Sequence, residues 1–413
     1  MAIGKVQVST SQLKVGMFVI DLDRPWLGTP FLFQGFRIHS PDEIEKLRSQ
    51  CDSVYIDLEK SARGSLAATR SPKAETSPQR LYAMSAAFEE EIFAANEIRA
   101  ETESCIEQVF ADVASNKMID LVSVKRIVNH TVDGILRNPD AHVSLTQLKE
   151  WDTYTAQHSI NVCILALAVA RHLGLSRHEM EMLGAGALLH DVGKLKTPLE
   201  VLNKPGKLTA EEFNIMKAHP VHGRELLEHR YGLPHLVADM AYSHHERAAG
   251  GGYPRGLSGD QISVWSKIVA IVDVYDAITS DRCYHEGMSP TEALTKMYSW
   301  RMTDFDPELL EQFIQCLGIY PVGTLVELTS GEVGIVISVN PVLRLRPIVS
   351  LVLDANKRPY YPARSLNLAD FADNDPDNVY AIREVLKPHS YGINIREHLQ
   401  PMQKAQERKL VLP

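Results

Sequence analysis

The sequence predicts a multi-domain, mainly α protein: a helical bundle flanked by a small N-terminal α/β module and a short C-terminal β appendage. Three observations predict this. Apolar residues recur at helical spacing from Leu81 to about residue 318, while strand-like alternation is confined to the two ends. Between the first end and the helices, residues 61–80 hold Ser, Ala, Arg, Thr and Pro with almost no large apolar side chain. At 413 residues the chain also exceeds what a single core usually supports.

Taken in order, residues 1–60 read as the α/β module, a regulatory candidate. KVQVS and MFVIDLD have strand density, SPDEIEKLRSQC reads as a short helix, and SVYIDLE as a closing strand. Residues 61–80 are a flexible linker. Residues 81–140 form a helical connector with Phe88, Ile92, Ile106, Phe110, Ile127 and Ile135 on apolar faces, and with Glu89, Glu90 and Glu91 turned outward. That face packs on the next domain or on a second copy of the chain, a homodimer. Residues 141–318 form a further helical domain. In it SINVCILALAVARHLGL, HEMEMLGAGALLHDVG and WSKIVAIVDVYDAIT carry wide apolar faces, and Thr209 with Glu212 forms a capping box. Residues 319–372 alternate as strands around a Ser330-Gly331 turn, and 373–413 are a mixed tail.

The composition narrows the function. A net charge of −9, with both signs interspersed, argues against a grip on duplex nucleic acid through phosphates. The five cysteines are dispersed and never paired as CxxC, which predicts reduced thiols in the cytoplasm rather than a disulfide framework. The N-terminus lacks the apolar core of a signal peptide, and Ile160 to Leu175 is too short to span a bilayer.

Chemistry concentrates in His158, His190, Asp191, His219, His244, His245 and Asp273, followed by HHERAAGGGYPRGL. Imidazole and carboxylate suit Fe, Mn, Ni or Zn, and a carboxylate can bridge two ions. Seven ligands exceed the need of one tetrahedral site, so the set suggests a two-metal site that hydrolyses phosphoesters. An isolated His-Asp pair at a helix end is ordinarily a satisfied His beside a capping Asp. That bland reading cannot comfortably hold for all seven residues in one apolar helical domain, where unpaired polar groups are costly.

The order H…HD…H…HH…D followed by HHExxxGxGYPxGL resembles the HD-GYP domain, a bacterial subclass of HD phosphohydrolases that degrades cyclic di-GMP. The supporting strings are YTAQHS, LHDVGK, LNKPGKLTAEEF and DVYDAITSDRCY. The N-terminal module resembles an uncharacterised domain that often precedes HD-GYP domains. The resemblance implies an HD-type bundle and a metal-dependent phosphodiesterase that opens cyclic di-GMP to pGpG, continuing in some members to GMP. It implies one metal site of His158, His190, Asp191 and Asp273, and a second of His219, His244 and His245, bridged by Asp191. Two adjacent cations supply hydroxide at neutral pH and neutralise charge on the phosphorus. Asp191 and Lys194 take catalytic roles, and Lys194, Tyr253, Arg282 and His285 are expected to contact substrate. The resemblance implies iron or manganese first, with nickel, zinc or magnesium as alternatives, and a diguanylate cyclase (GGDEF) domain as a partner for the GYP loop.

Three departures from the family pattern stand out. Tyr154 replaces a Glu that holds a third metal in some members, so two metals are expected. Ala249 and Gly251 make the loop less polar and more flexible. His285 stands where a basic residue is common, which weakens phosphate grip and favours slow turnover or arrest at the linear product. The competing function is a signalling adaptor that binds a cyclic dinucleotide or a partner with weak catalysis. A third reading is hydrolysis of a mixed cyclic dinucleotide.

Overall fold

The computed structural model describes residues 5–24, 36–38, 41–57, 61, 82–115, 117–147, 154–228, 233–280, 287–340, 343–371, 380–387 and 390–394. The chain divides into two units, Met1–Gln79 and Arg80–Pro413. In the first, β1 (Lys5–Ser9), β2 (Phe18–Leu22), β3 (Phe36–Arg37) and β4 (Ser53–Asp57) form an antiparallel sheet of order β1-β4-β2-β3. Period-2 alternation puts Val54 and Ile56 of β4 on one face. There they join Ile44 and Leu47 of α1 (Pro41–Gln50) in a small closed core.

The second unit is mostly helical. It opens with the antiparallel pair α2 (Phe88–Ala114) and α3 (Leu121–Arg137), the latter capped by Asp120, whose carboxylate accepts from the Val122 and Ser123 amides. Next come α4 (Pro139–Leu145), α5 (Tyr154–His172) and α6 (Arg177–Leu189). A Ser176–Glu179 capping box starts α6. Two short helices, α7 (Leu199–Leu202) and α8 (Ala210–Met216), lead to α9 (His219–Glu228), and the expected Thr209–Glu212 capping box is formed. Then follow α10 (His235–Ser243), α11 (Val264–Thr279), α12 (Pro290–Ser299) and α13 (Pro307–Leu317). Helix α11 buries Ile268, Val269, Ile271, Val272 and Tyr275 around most of its circumference, as a central helix must.

The chain ends in a five-stranded antiparallel sheet of order β8-β7-β6-β5-β9. Its strands are β5 (Leu325–Leu328), β6 (Val333–Ser338), β7 (Ile348–Leu353), β8 (Pro359–Asn367) and β9 (Ile382–Val385). The Ser330-Gly331 turn joins β5 to β6, with Gly331 at φ 84°. Strand β9 comes from the stretch expected to be tail and pairs with β5. The predicted fold class, mainly α with β structure at each end, is the one observed.

One expectation on the connector fails. Glu91 does not face outward; it is 3% exposed. Its carboxylate accepts two bonds from Arg137, at 2.7 and 2.8 Å, and lies 3.2 Å from His142 Nε2. Burial alone would raise its pKa, but His142 and Arg137 outweigh burial and hold it below the usual glutamate value. A buried carboxylate persists only with such partners, and this one ties α2 to α3 and α4.

Candidate metal centre

Every predicted ligand sits where a helix presents it to one interior point. His158 lies one turn into α5, and Asp273 in the middle of α11. His219 opens α9, while His244 and His245 follow α10 directly. His190 keeps helical angles at the end of α6, and Asp191 departs from them (φ −100°, ψ 6°) at the start of the 3-10 turn Val192–Lys196. Neighbours along the chain can therefore both point inward. His158, His190, Asp191, His219 and His244 are each at most 3% exposed, and Asp273 is 7% exposed.

The side chains form overlapping groups, one of which (His190, Asp191 and His244) takes a histidine from each of the other two. His158, His190 and Asp273 offer donor atoms within 4.8 Å of one another, and so do His219, His244 and His245. Asp191 stands between them. Its Oδ2 is 3.6 Å from His158 Nε2 and 3.4 Å from His190 Nε2, while its Oδ1 is 3.3 Å from His219 Nε2 and 3.7 Å from His244 Nε2. One carboxylate thus turns one oxygen toward each group.

The rings are aimed by their outer nitrogens. Nδ1 of His190 lies 2.7 Å from the Ala187 carbonyl, that of His219 2.7 Å from Met216 O, and that of His244 2.9 Å from Ala241 O. His158 Nδ1 lies 2.8 Å from Asp276 Oδ2. Each contact favours a proton on Nδ1; in His190, His219 and His244 this turns Nε2 toward the cluster, an arrangement typical of metal-binding histidines, while His158 Nε2 lies 3.0 Å from Asp273 Oδ1. His190 Nε2 and Asp191 Oδ1 are buried without a hydrogen-bond partner. Buried polar atoms are rarely left so, and an all-imidazole and carboxylate donor set that meets inside an apolar bundle fits divalent cations.

The charge states fit as well. Burial pushes His219 down to about 3 and His245 to about 4, and takes His244 well below its usual value. These three are neutral at pH 7 with lone pairs available. Burial would raise Asp191, but Lys194, at 2.5 Å from Oδ2, and the imidazoles of His190 and His219 outweigh it and hold the carboxyl well below its usual range. Asp273 is likewise held low by His158 against its burial. His158 goes the other way: burial would lower it, yet its bonds to Asp273 and Asp276 hold it up at about 9.

A cation bound at His158 Nε2 must displace that proton, whereas His219, His244 and His245 have none to lose. Mn2+ uptake at pH 7.5 is therefore expected to release about one proton per chain, and apparent affinity to fall about tenfold per pH unit below 9. Calorimetry in two buffers of different ionisation enthalpy measures this; uptake without proton release would contradict the charge assignment.

The other predicted site residues are placed unevenly. Lys194 stands beside Asp191 as described. Tyr253 is half-buried, with its ring 4.7 Å from that of His245, so it packs the loop onto the cluster. Arg282, His285 and the side chain of Tyr154 lie outside the described residues. The loop is also less free than its glycines suggest. Gly250 and Gly251 take φ of 89° and 80°, which glycine adopts without cost, but the loop around them is stitched down. Ala248 and Ala249 donate to Asp304 O and Thr303 O, and Tyr253 N donates to His245 O. The sequence reading missed two carboxylates that organise this region. Buried Glu246 accepts from the amides of Arg255 and Leu257, and Asp276 orients His158.

Residues 136–309 match the HD domain family, residues 5–124 a domain of unknown function, and residues 325–389 a KOW domain associated with HD domains. A cyclic di-GMP phosphodiesterase of Pseudomonas aeruginosa is 37% identical over 381 residues, covering 89% of this chain and 90% of that protein. The cyclic di-GMP phosphodiesterase response regulator RpfG of Xanthomonas campestris is 43% identical over 150 residues, 36% of this chain and 39% of its own. A 3'3'-cGAMP-specific phosphodiesterase of Vibrio cholerae is 36% identical over 168 residues, 41% of this chain and 36% of its own. The chain belongs to the HD-GYP branch of the HD-domain phosphohydrolases.

Proposed function

We propose that this protein is a cyclic di-GMP phosphodiesterase whose two-cation centre is held by His158, His190 and Asp273 on one side and His219, His244 and His245 on the other, with Asp191 shared. The observation that carries the reading is the division of the Asp191 oxygens between the two histidine groups. Cations held there would lower the pKa of a bound water and offset charge developing on the phosphate. The protein supplies the rest. Lys194, 22% exposed beside Asp191, offers a point charge to a phosphate oxygen at the mouth of the site. Tyr253 and the stitched loop cover His245 and limit water access. Water adds to phosphorus, the bond to the 3′ oxygen breaks, and that oxygen takes up a proton to give linear pGpG. Iron or manganese is the proposed native metal, and two ions per chain the proposed content.

No described helix is long and apolar enough to cross a membrane. The four described cysteines are free thiols, which supports a reducing, cytoplasmic setting. A second substrate reading, the mixed cyclic dinucleotide, is favoured by the name of the Vibrio cholerae relative. Incubating Mn2+- or Fe2+-loaded protein with each dinucleotide, and separating products by chromatography, distinguishes the two. The proposal expects pGpG from cyclic di-GMP at a higher kcat/KM than any product from the mixed dinucleotide. The reverse order would transfer the assignment, and no product from either, with binding retained, would leave an adaptor.

A further inference from the structure

Behind His158 a line of buried polar contacts runs out of the cluster and ends on a different helix. Asp276, one turn after Asp273 on α11 and 1% exposed, places Oδ2 at 2.8 Å from His158 Nδ1. Its Oδ1 accepts from the Asn161 side-chain amide at 3.0 Å, and Asn161 is 2% exposed on α5. The Asn161 carbonyl oxygen in turn accepts from Arg99 Nη1 at 3.0 Å. Arg99 belongs to α2, which carries none of the cluster's donors and is fastened by the Glu91 contacts to Arg137 and His142.

The order of donors along this line is set by Arg99 at its outer end, with a longer contact of 3.5 Å from the Asn161 NH2 to the Thr146 carbonyl favouring the same orientation. A carboxamide can be turned over at little cost, because its oxygen and nitrogen ends are nearly the same shape. Guanidinium only donates. Arg99 therefore accepts one orientation of Asn161, with the carbonyl toward itself and the NH2 toward Asp276. Reversed, the amide would set its oxygen lone pairs against the Asp276 carboxylate in a buried place, an arrangement with no proton to share. Asp276 would then lose a donor and with it part of the constraint that aims the His158 ring.

We propose that Arg99 is a positioning residue for the metal centre, acting through the orientation of Asn161 and Asp276 on His158. This rests on reading the cluster as a metal centre. Partners that orient a ligand directly are commonly worth about 10- to 100-fold in metal affinity; Arg99 stands further out, so roughly 3- to 10-fold is expected from its removal.

The test uses the full chain and Mn2+ titrated by calorimetry. Arg99→Met, which keeps a long side chain but donates nothing, is expected to weaken Mn2+ binding at one of the sites by that factor while the melting temperature in chelator stays at the wild-type value. Arg99→Lys restores a donor and is expected to recover most of the affinity. Asn161→Asp keeps the partner of Arg99 but turns an acceptor on Asp276, and is expected to weaken binding at least as much as Arg99→Met. Wild-type affinity in Arg99→Met or Asn161→Asp overturns the proposal. So does an Arg99→Lys as weak as Arg99→Met, which would mark lost guanidinium packing. A wild-type chain that takes up neither Mn2+ nor Fe2+ overturns the metal-centre reading together with this one, whereas normal wild-type uptake beside an unchanged Arg99→Met sinks the relay alone.

Discussion

Asp191→Asn is expected to lower kcat on cyclic di-GMP by about three orders of magnitude, which corresponds to roughly 4 kcal/mol of lost transition-state stabilisation. The substitution preserves shape and removes only charge, so the bundle should fold. What changes is the balance at the centre. Five imidazoles and the Lys194 ammonium surround the Asp191 and Asp273 carboxylates, and Asp191 touches both histidine groups. Losing its charge should weaken metal uptake on both sides together, read as metal per chain by elemental analysis alongside turnover. Retained metal with full activity would show that the shared position of Asp191 has no chemical consequence.

The second large effect is expected at Gly193. A Cβ built there would meet the His219 carbonyl oxygen at 2.0 Å and the Gly223 amide nitrogen at 2.4 Å, both backbone atoms of α9. Neither can move without moving the helix that begins with His219. Gly193→Ala should therefore cost stability on the order of the 1–3 kcal/mol of overpacked cores, or more, and reduce metal uptake as well. Gly223→Ala is the matched control, because its Cβ would find nothing nearer than 3.5 Å. The expected result is a large fall in melting temperature for the first and little change for the second. Equal tolerance of both would mean that the 3-10 turn and α9 do not approach as closely as described.

The clustered histidines and aspartates were legible because each is a polar side chain in strongly apolar helical text, where burial without a partner is costly. Their order and the Gly-rich loop supplied the rest. Glu91 was read as solvated with its neighbours, yet three consecutive helical residues fan over about 200° and cannot share one face. Asp276 was passed over although it lies three residues beyond Asp273, on the same side of α11, and could have been found by that spacing. Gly193 does not take a left-handed φ, so no turn signal marks it. Its need comes from the close approach of α9, a tertiary fact that local sequence does not carry. Strand β9 is only four residues long and is stabilised by pairing with β5, so its alternation was too brief to stand out.

The central claim is that one carboxylate joins two cation sites. Anomalous scattering at the manganese edge, from crystals of Mn2+-loaded protein, tests it most directly. Two peaks are predicted, one among His158, His190 and Asp273 and one among His219, His244 and His245, with Asp191 between them. A single peak, or full occupancy of both sites in crystals of Asp191→Asn, would contradict it.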